Sequence, residues 1–250
     1  MSKFPIDILK GADTPLYYYD LDLLRQTLAA LNEAAATHPG YTVHYAMKAN
    51  ANPAVLEDIR KAGLGIDAVS GGEISRALEC GFAPATIVYA GVGKSDREIK
   101  LALEAGIACF NVESRQELEI IASLASEAGV KAKVALRVNP NIDAHTHAYI
   151  TTGLSENKFG ISREQLDSVV EFCRSLSSVE LIGLHFHIGS QITEPEPFEM
   201  LADTINELQD CYNARGIEFK SINVGGGLGI DYNHPDTNPI PDLCRLLQCL

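Results

Sequence analysis

Short apolar runs alternate with longer amphipathic segments along most of this chain. Seven runs are rich in β-branched and other apolar residues and therefore predict buried strands. They cover residues 42–47, 65–69, 86–90, 108–112, 133–138, 181–187 and 221–224. The segments between them carry apolar residues at helical spacing and predict helices. They cover residues 53–62, 72–80, 96–105, 114–128, 162–176 and 197–215.

Residue types mark the ends of these helices. Glycine follows most of the segments directly, as at Gly106 and Gly129, and glycine is common just past a helix C-terminus. Ser70 and Ser114 each precede a glutamate by three residues, which is the spacing of an N-terminal capping box. Strands that alternate with helices of this length form parallel βαβ units. Seven of them favour an α/β fold of the (β/α)8 TIM-barrel type over an open doubly wound sheet.

The two ends of the chain do not fit the barrel count. The extended aromatic run at 16–19 predicts a strand of another sheet. Only 23 residues follow Gly227, and they include three prolines, whereas a further βα unit needs roughly 30 residues. We therefore expect an incomplete barrel of about seven strands in an incomplete chain. The expected division is an N-terminal segment at 1–35, a barrel at 36–241 and an aberrant or truncated tail at 242–250.

Composition narrows the class of protein. The chain has 250 residues, 46% of them hydrophobic, and a net charge of −13. Such an acidic chain is a poor partner for nucleic acid or anionic membranes. No apolar stretch reaches the ~18 residues of a membrane span, and no signal peptide is evident. The six cysteines show no Cys-x-x-Cys spacing, which is typical of a reduced cytoplasmic protein rather than a disulfide framework or zinc site.

One lysine stands where α/β folds place their chemistry. Lys48 ends the first predicted strand, and Asn52-Pro53 begins the helix that follows. The carboxyl ends of barrel strands carry the active site. A lysine partly removed from water has a depressed pKa and is able to react as a neutral amine, as a Schiff base requires. The alternative is an ordinary solvated lysine.

A glycine run follows the last predicted strand. Gly225, Gly226 and Gly227 leave backbone N–H groups open to an anion, and phosphate is the usual guest at such a strand exit. Ile230 stands where a dinucleotide fingerprint has its third glycine, so that motif is excluded. The alternative interpretation is a tight turn.

Two histidines end the sixth predicted strand. His185 and His187 share one face because strand side chains alternate. They are candidate metal ligands, satisfied core residues, or a flat ring against an aromatic cofactor. His145 and His147 are likewise weak candidates for metal ligands. Ser190 is placed to donate a hydrogen bond to a phosphate.

Charged residues lie at other strand ends. Arg137 lies late in a strand, where a buried guanidinium requires a carboxylate, phosphate or other acceptor. Asp67 and Glu73 are either solvated caps or groups that orient Arg137 and Lys48. The run GVGKS at 91–95 mimics a P-loop but lacks its first glycine, so we interpret Lys94 as a loop lysine.

A reactive lysine, a phosphate cradle, a stacking histidine and a barrel together describe pyridoxal 5'-phosphate (PLP) better than any other cofactor. The motifs YAMKAN at 45–50, HIGSQ at 187–191 and VGGGLG at 224–229 resemble those of the PLP-dependent decarboxylases with an alanine-racemase-like barrel. YITTG at 149–153 and NKFG at 157–160 are most similar to the branch that acts on diaminopimelate.

The resemblance implies a barrel followed by a β-domain that includes the strand at 16–19. It implies that Lys48 and His187 are catalytic, with Lys48 bound to PLP as a Schiff base and His187 stacked on the ring. Ser190 and Gly225, Gly226 and Gly227 hold the phosphate, and Asp67, Glu73 and Arg137 match positions around the cofactor. The implied reaction converts meso-diaminopimelate, a small amino acid, to L-lysine and carbon dioxide.

The family places further groups beyond the glycine loop and forms its active sites between two subunits. These groups are a glutamate facing the pyridine nitrogen, an arginine at the phosphate, and a cysteine and tyrosine of the β-domain. None has a counterpart in 230–250. We therefore expect a homodimer at full length and a chain that holds PLP but is nearly inactive as it stands.

Four alternatives remain open from the sequence. The first is another basic amino acid decarboxylase, for arginine, ornithine or carboxynorspermidine, and the second is an amino acid racemase. The third is a non-catalytic PLP-binding barrel. The last is a metal-dependent hydrolase that uses the four histidines at 145, 147, 185 and 187.

Overall fold

The computed structural model describes residues 5–142, 159–234 and 237–250. Seven strands form one parallel sheet in chain order, as the sequence predicts. They are β1 His44–Ala46, β2 Gly65–Ala68, β3 Ile87–Tyr89, β4 Cys109–Val112, β5 Ala132–Arg137, β6 Val179–His185 and β7 Ser221–Asn223. No eighth strand occurs within these described ranges.

Helices connect successive strands and cover the sheet. They are α1 Ile6–Leu9, α2 Leu21–Ala36, α3 Pro53–Lys61, α4 Gly71–Glu79, α5 Asp96–Ala105, α6 Arg115–Ala128, α7 Arg163–Ser175, α8 Glu196–Asn213 and α9 Leu243–Cys249. Short 3-10 turns at Met47–Ala49 and Pro84–Thr86 complete the described elements. The core lies between sheet and helices, and β3 and β4 are buried along their whole length. The fold is thus the expected α/β barrel type with seven strands.

Six of the seven strands end one or two residues earlier than predicted, and the differences at β1 and β6 bear on the site. The first strand ends at Ala46, so Lys48 lies in the 3-10 turn that follows it. The sixth strand ends at His185, so His187 lies in the loop beyond it. In both places the apolar run continues past the last ladder bond, because the loop above the sheet is itself packed.

The predicted serine caps form, but their glutamates act differently from a capping box. Ser70 Oγ accepts from Glu73 N at 3.2 Å, and Glu73 Oε2 then accepts from Val69 N at 2.8 Å. The helix after β4 repeats the arrangement with Ser114 and Glu117. Each glutamate therefore ties the last residues of a strand to the helix that follows it.

The ends of the chain contain three helices that the sequence pattern did not predict, namely α1, α2 and α9. Helix α2 is capped by Asp20, whose carboxylate accepts from Asp22 N and Leu23 N at 3.0 Å each. Helix α9 forms in the segment expected to be an aberrant tail, is capped by Asp242 and packs against α2 and α8. A buried side chain, Leu247, anchors it.

The aromatic run before α2 forms no strand within the described part of the chain. Tyr17 is 89% exposed, and its ring stacks on that of Tyr19 with centroids 6.4 Å apart. Pairing of this run with another sheet stays a prediction. Of the helices described, none combines the length and the apolar character that crossing a membrane requires.

Candidate active site

The carboxyl ends of the strands bring the predicted site residues to one edge of the sheet. Lys48 follows β1, and Asp67 lies near the end of the adjacent strand β2, where it pairs with Ala46 in the ladder. On the other side, Arg137 pairs with His185, and His185 pairs with Asn223 just before the glycine run. All these groups face the same end because the sheet is wholly parallel.

Lys48 is held by its backbone while its side chain reaches solvent. The Tyr45 hydroxyl donates to the carbonyl of Asn50 at 3.1 Å, which closes the turn that carries the lysine. Lys48 itself is exposed. The prediction that it is partly removed from water is therefore wrong, because the strand stops two residues before it. Its amine remains accessible to an incoming aldehyde.

The carboxyl group of Asp67 is largely buried and its pKa is shifted. This burial raises the pKa of the carboxyl group to about 6, although the charges of Lys48 and Arg137 oppose the rise. Its Oδ1 is buried and has no hydrogen-bond partner among the residues that the structure describes. An unpaired buried acceptor is costly and marks a place where a bound group would supply a donor.

Arg137 is buried, as expected, and its partner is a residue that the sequence analysis missed. Its Nη1 donates to both carboxylate oxygens of Glu113, at 2.7 and 3.0 Å. Glu113 also accepts from Gly91 N at 3.2 Å. Glu73 Oε2 accepts from Val69 N, whereas Arg137 bonds the carboxylate of Glu113, so an orienting role of Glu73 stays a prediction. The sequence does contain one signal for Glu113, because this residue directly follows the apolar run at 108–112 that predicts the fourth strand.

Both histidines of the sixth strand end are neutral near pH 7. Burial, followed by the charge of Arg137, lowers the pKa of His185 well below its usual value. Burial, followed by Arg137 and Lys48, lowers the pKa of His187 to about 4. An uncharged imidazole suits the role of a flat packing partner for an aromatic ring.

Two of the three glycines are required by close backbone packing. Gly225 has φ +77° and Gly227 has φ +115°, a region that favours glycine. A Cβ at Gly225 would collide with the Phe186 carbonyl, and one at Gly227 would collide with the Gly189 carbonyl. A Cβ at Gly226 would have no atom within 4 Å. The run is therefore a tight turn whose middle residue presents an open face.

Ser190 is exposed on the loop after β6, and backbone bonds join this loop to the glycine turn. Ile192 N donates to the Gly227 carbonyl and Gly229 N donates to the Ile192 carbonyl, each at 2.8 Å. A cavity of about 610 Å³ lies beside this junction, against α9, and its lining includes Gly229 but neither Lys48 nor His187.

Lys94 lies in a loop, as predicted, but its side chain is only 1% exposed. Its ammonium group donates to the Gly91 carbonyl at 2.7 Å, to the Asn111 carbonyl at 2.9 Å and to Glu117 Oε1 at 2.6 Å. Lys94 is thus a loop lysine whose ammonium group makes three hydrogen bonds inside the protein, which the sequence alone does not reveal.

Some sequence predictions lie outside the described residues, namely those on His145, His147, YITTG at 149–153 and the first two residues of NKFG at 157–160. Within the described part of the chain, no group of three or more His, Cys, Asp or Glu side chains is arranged to hold a metal ion.

A family model described as pyridoxal-dependent decarboxylase, pyridoxal binding domain, matches residues 24–244. The chain therefore belongs to the pyridoxal-dependent decarboxylases. Two features of the site fit the group that gives the family its name. These are the unpaired Oδ1 of Asp67 and the open backbone at Gly226, both at the edge that carries the exposed Lys48.

Three similar proteins are all named diaminopimelate decarboxylase. The chain is 56% identical over 239 residues to diaminopimelate decarboxylase of Bacteroides thetaiotaomicron, covering 96% of this chain and 62% of that protein. It is 40% identical over 238 residues to diaminopimelate decarboxylase of Aquifex aeolicus, covering 95% of this chain and 56% of that protein. It also matches the crystal structure of the Helicobacter pylori diaminopimelate decarboxylase complexed with L-lysine. That match has a TM-score of 0.90, 37% identity, and coverage of 98% of this chain and 61% of that chain. The chain thus spans 56–62% of the length of these curated relatives.

Proposed function

We propose that this chain binds PLP and forms the barrel part of an enzyme that decarboxylates meso-diaminopimelate to L-lysine and carbon dioxide. The observation that carries the proposal is the placement of the exposed Lys48, the buried acceptor of Asp67 and the open glycine turn at one edge of the sheet. The names of the relatives supply the substrate, and the L-lysine in the related structure corresponds to the product.

Each residue has a defined task in this proposal. The Lys48 amine would hold the cofactor through its aldehyde, and the backbone at Gly225 to Gly227 would hold the phosphate together with the Ser190 hydroxyl. The neutral ring of His187 would serve as an apolar contact for the cofactor. When bound, PLP supplies an electron sink for the bond that breaks at the α-carbon of the amino acid.

Proton positions follow from the site's electrostatics. Because the pKa of Asp67 is about 6, its carboxyl group exchanges a proton close to neutral pH and is able to pair with a donor on the cofactor once ionised. Arg137 faces the same space with its charge balanced by Glu113. Glu73 keeps the strand end of Asp67 joined to helix α4.

We also propose the organisation expected from the sequence. Residues 36–241 form the cofactor-binding barrel, 1–35 contribute the strand at 16–19 to a second domain, and 242–250 form the tail. The working enzyme is a cytoplasmic homodimer with shared active sites. Turnover by the 250-residue chain alone is weak, because a large part of each relative's length has no match in it.

The test is to reconstitute the purified chain with PLP, reduce with borohydride and locate the label by peptide mass spectrometry. We expect the label on Lys48, its loss in Lys48→Ala, and its retention in the control Lys61→Ala, which removes an exposed lysine of α3. A label spread over surface lysines in both variants would overturn the binding site.

Substrate choice is tested separately, by carbon dioxide release from meso-diaminopimelate, arginine and ornithine. We expect any release to favour meso-diaminopimelate. Preference for arginine or ornithine would contradict the substrate assignment, and robust turnover would contradict the expected weak activity. PLP binding with no release at all would leave the chain a cofactor-binding barrel.

A further inference from the structure

A buried ion pair lies at the exits of strands β3 and β4, at the same end of the sheet as Lys48, and the proposed function does not use it. The side chains of Lys94 and Glu117 are 1% and 12% exposed, and their Nζ–Oε1 distance is 2.6 Å. Lys94 also bonds the carbonyls of Gly91 and Asn111, so it spans the exits of strands β3 and β4. The Tyr89 ring lies 5.2 Å from the ammonium nitrogen and covers it.

The pair is connected to Arg137 through one residue. The second oxygen of Glu117 accepts from Glu113 N at 2.8 Å, which fixes the backbone of Glu113. The Glu113 carboxylate in turn accepts from Gly91 N and from Arg137 Nη1. Lys94 also bonds the carbonyl of Gly91. The ion pair therefore fixes the backbone of Glu113 through Glu117 and the carboxylate of Glu113 through Gly91.

Stability alone is a weak reason to keep such a pair. Removing two charges from water costs several kcal/mol, and well-packed apolar side chains of similar volume often stabilise a protein equally well. The pair does, however, supply directed bonds to two strand exits, which apolar side chains cannot do.

We propose that Lys94 and Glu117 are positioning residues, which fix Glu113 and thereby the guanidinium group of Arg137 at the cofactor edge. Their effect on PLP rests on the proposed function, whereas their effect on Arg137 does not.

His187 is a suitable reporter of where Arg137 lies. Burial is the largest cause of its lowered pKa, and the charges of Arg137 on β5 and Lys48 after β1 lower that pKa further. Lys94 is among the charges acting on Asp67 and His185, but not among those acting on His187. A change at His187 after replacement of Lys94 therefore reports a displaced arginine rather than the lost lysine charge.

The test uses the full chain without cofactor and the double variant Lys94→Met/Glu117→Met, which removes both charges at similar volume. We expect it to stay folded and the His187 titration midpoint, measured by NMR of the ring protons, to rise by about half a unit or more. PLP affinity should fall by about tenfold, as is typical when a supporting shell is removed. The matched control is Arg25→Met/Asp58→Met, which removes another ion pair with a buried carboxylate, between α2 and α3.

The control should leave both readouts unchanged. An unchanged His187 midpoint in the folded double variant overturns the proposal, and so does an equal rise in the control. If the double variant does not fold, Glu117→Gln decides by the same midpoint, because its shape is nearly that of glutamate. If the unmodified chain does not bind PLP, the proposed function fails, and the His187 titration still decides the role of the pair.

Discussion

Asp67 shows how one residue makes the site sensitive to pH. A carboxyl group whose pKa is raised on folding stabilises the protein at low pH, and this contribution is lost as the pH rises through the folded-state value of about 6. The histidines act in the opposite sense, because the pKa of His187 is lowered on folding and its stabilising contribution is lost as the pH falls. A substitution of Asp67 alone separates its contribution to stability from that of the histidines.

Asp67→Asn removes the titrating carboxyl group at nearly constant shape. We expect the free energy of unfolding of the variant, relative to the unmodified chain, to increase by about 2–3 kcal/mol as the pH rises from about 4 to about 7. Urea unfolding at several pH values measures this difference. A difference that stays constant across that range would show that the Asp67 carboxyl has an ordinary pKa.

Within the glycine turn, Gly227 serves packing, whereas Gly226 is expected to serve binding. Gly227→Ala places a Cβ against the Gly189 carbonyl at a φ of +115°, so we expect it to destabilise the fold by about 2–4 kcal/mol. Gly226→Ala meets no neighbouring atom, so we expect a nearly unchanged melting temperature and weaker PLP binding. Thermal melts and PLP titrations of both variants check this, and equal effects on stability would contradict it.

At the scale of elements, the hydrophobic pattern predicted every strand in the described barrel and the helices between them. It misplaced strand ends, because an apolar run does not reveal where the ladder stops and a packed loop begins. It also missed Glu113 and the burial of Lys94, since both acquire their partners from neighbouring strand exits far away in the sequence. Helix α2 was also not predicted, because its N-cap Asp20 directly follows the aromatic run at 16–19, whose residue types favour a strand.

Helix α2 depends on a side chain that sequence reasoning passed over. Asp20 accepts two backbone N–H groups, so we expect Asp20→Ala to destabilise the protein by about 1 kcal/mol. Asp20→Asn retains an acceptor and serves as the control with a loss of a few tenths at most. Urea unfolding measures both, and equal losses would show that charge rather than capping is responsible.

At the scale of the whole molecule, cofactor binding and folding are linked. A ligand that binds only the folded state at about 100 times its dissociation constant adds about 2.7 kcal/mol to the free energy of unfolding. For a chain of 250 residues that corresponds to roughly 5–10 °C in melting temperature. We expect PLP to produce this rise in the unmodified chain and none in Lys48→Ala, as measured by calorimetry. An equal rise in both would place the binding energy away from Lys48.

Backbone hydrogen bonds join the Ser190 loop to the glycine turn, and this has a consequence for protein engineering. Ile192 and Leu228 form a parallel bridge beyond the strands, and the side-chain amide of Gln191 bonds both the N–H and the carbonyl of Ile230. The two loops therefore form one module although they are far apart along the chain. A graft of these two loops onto another barrel should transfer residues 186–192 and 223–230 together, because either segment alone would lose the backbone partner that gives it its shape.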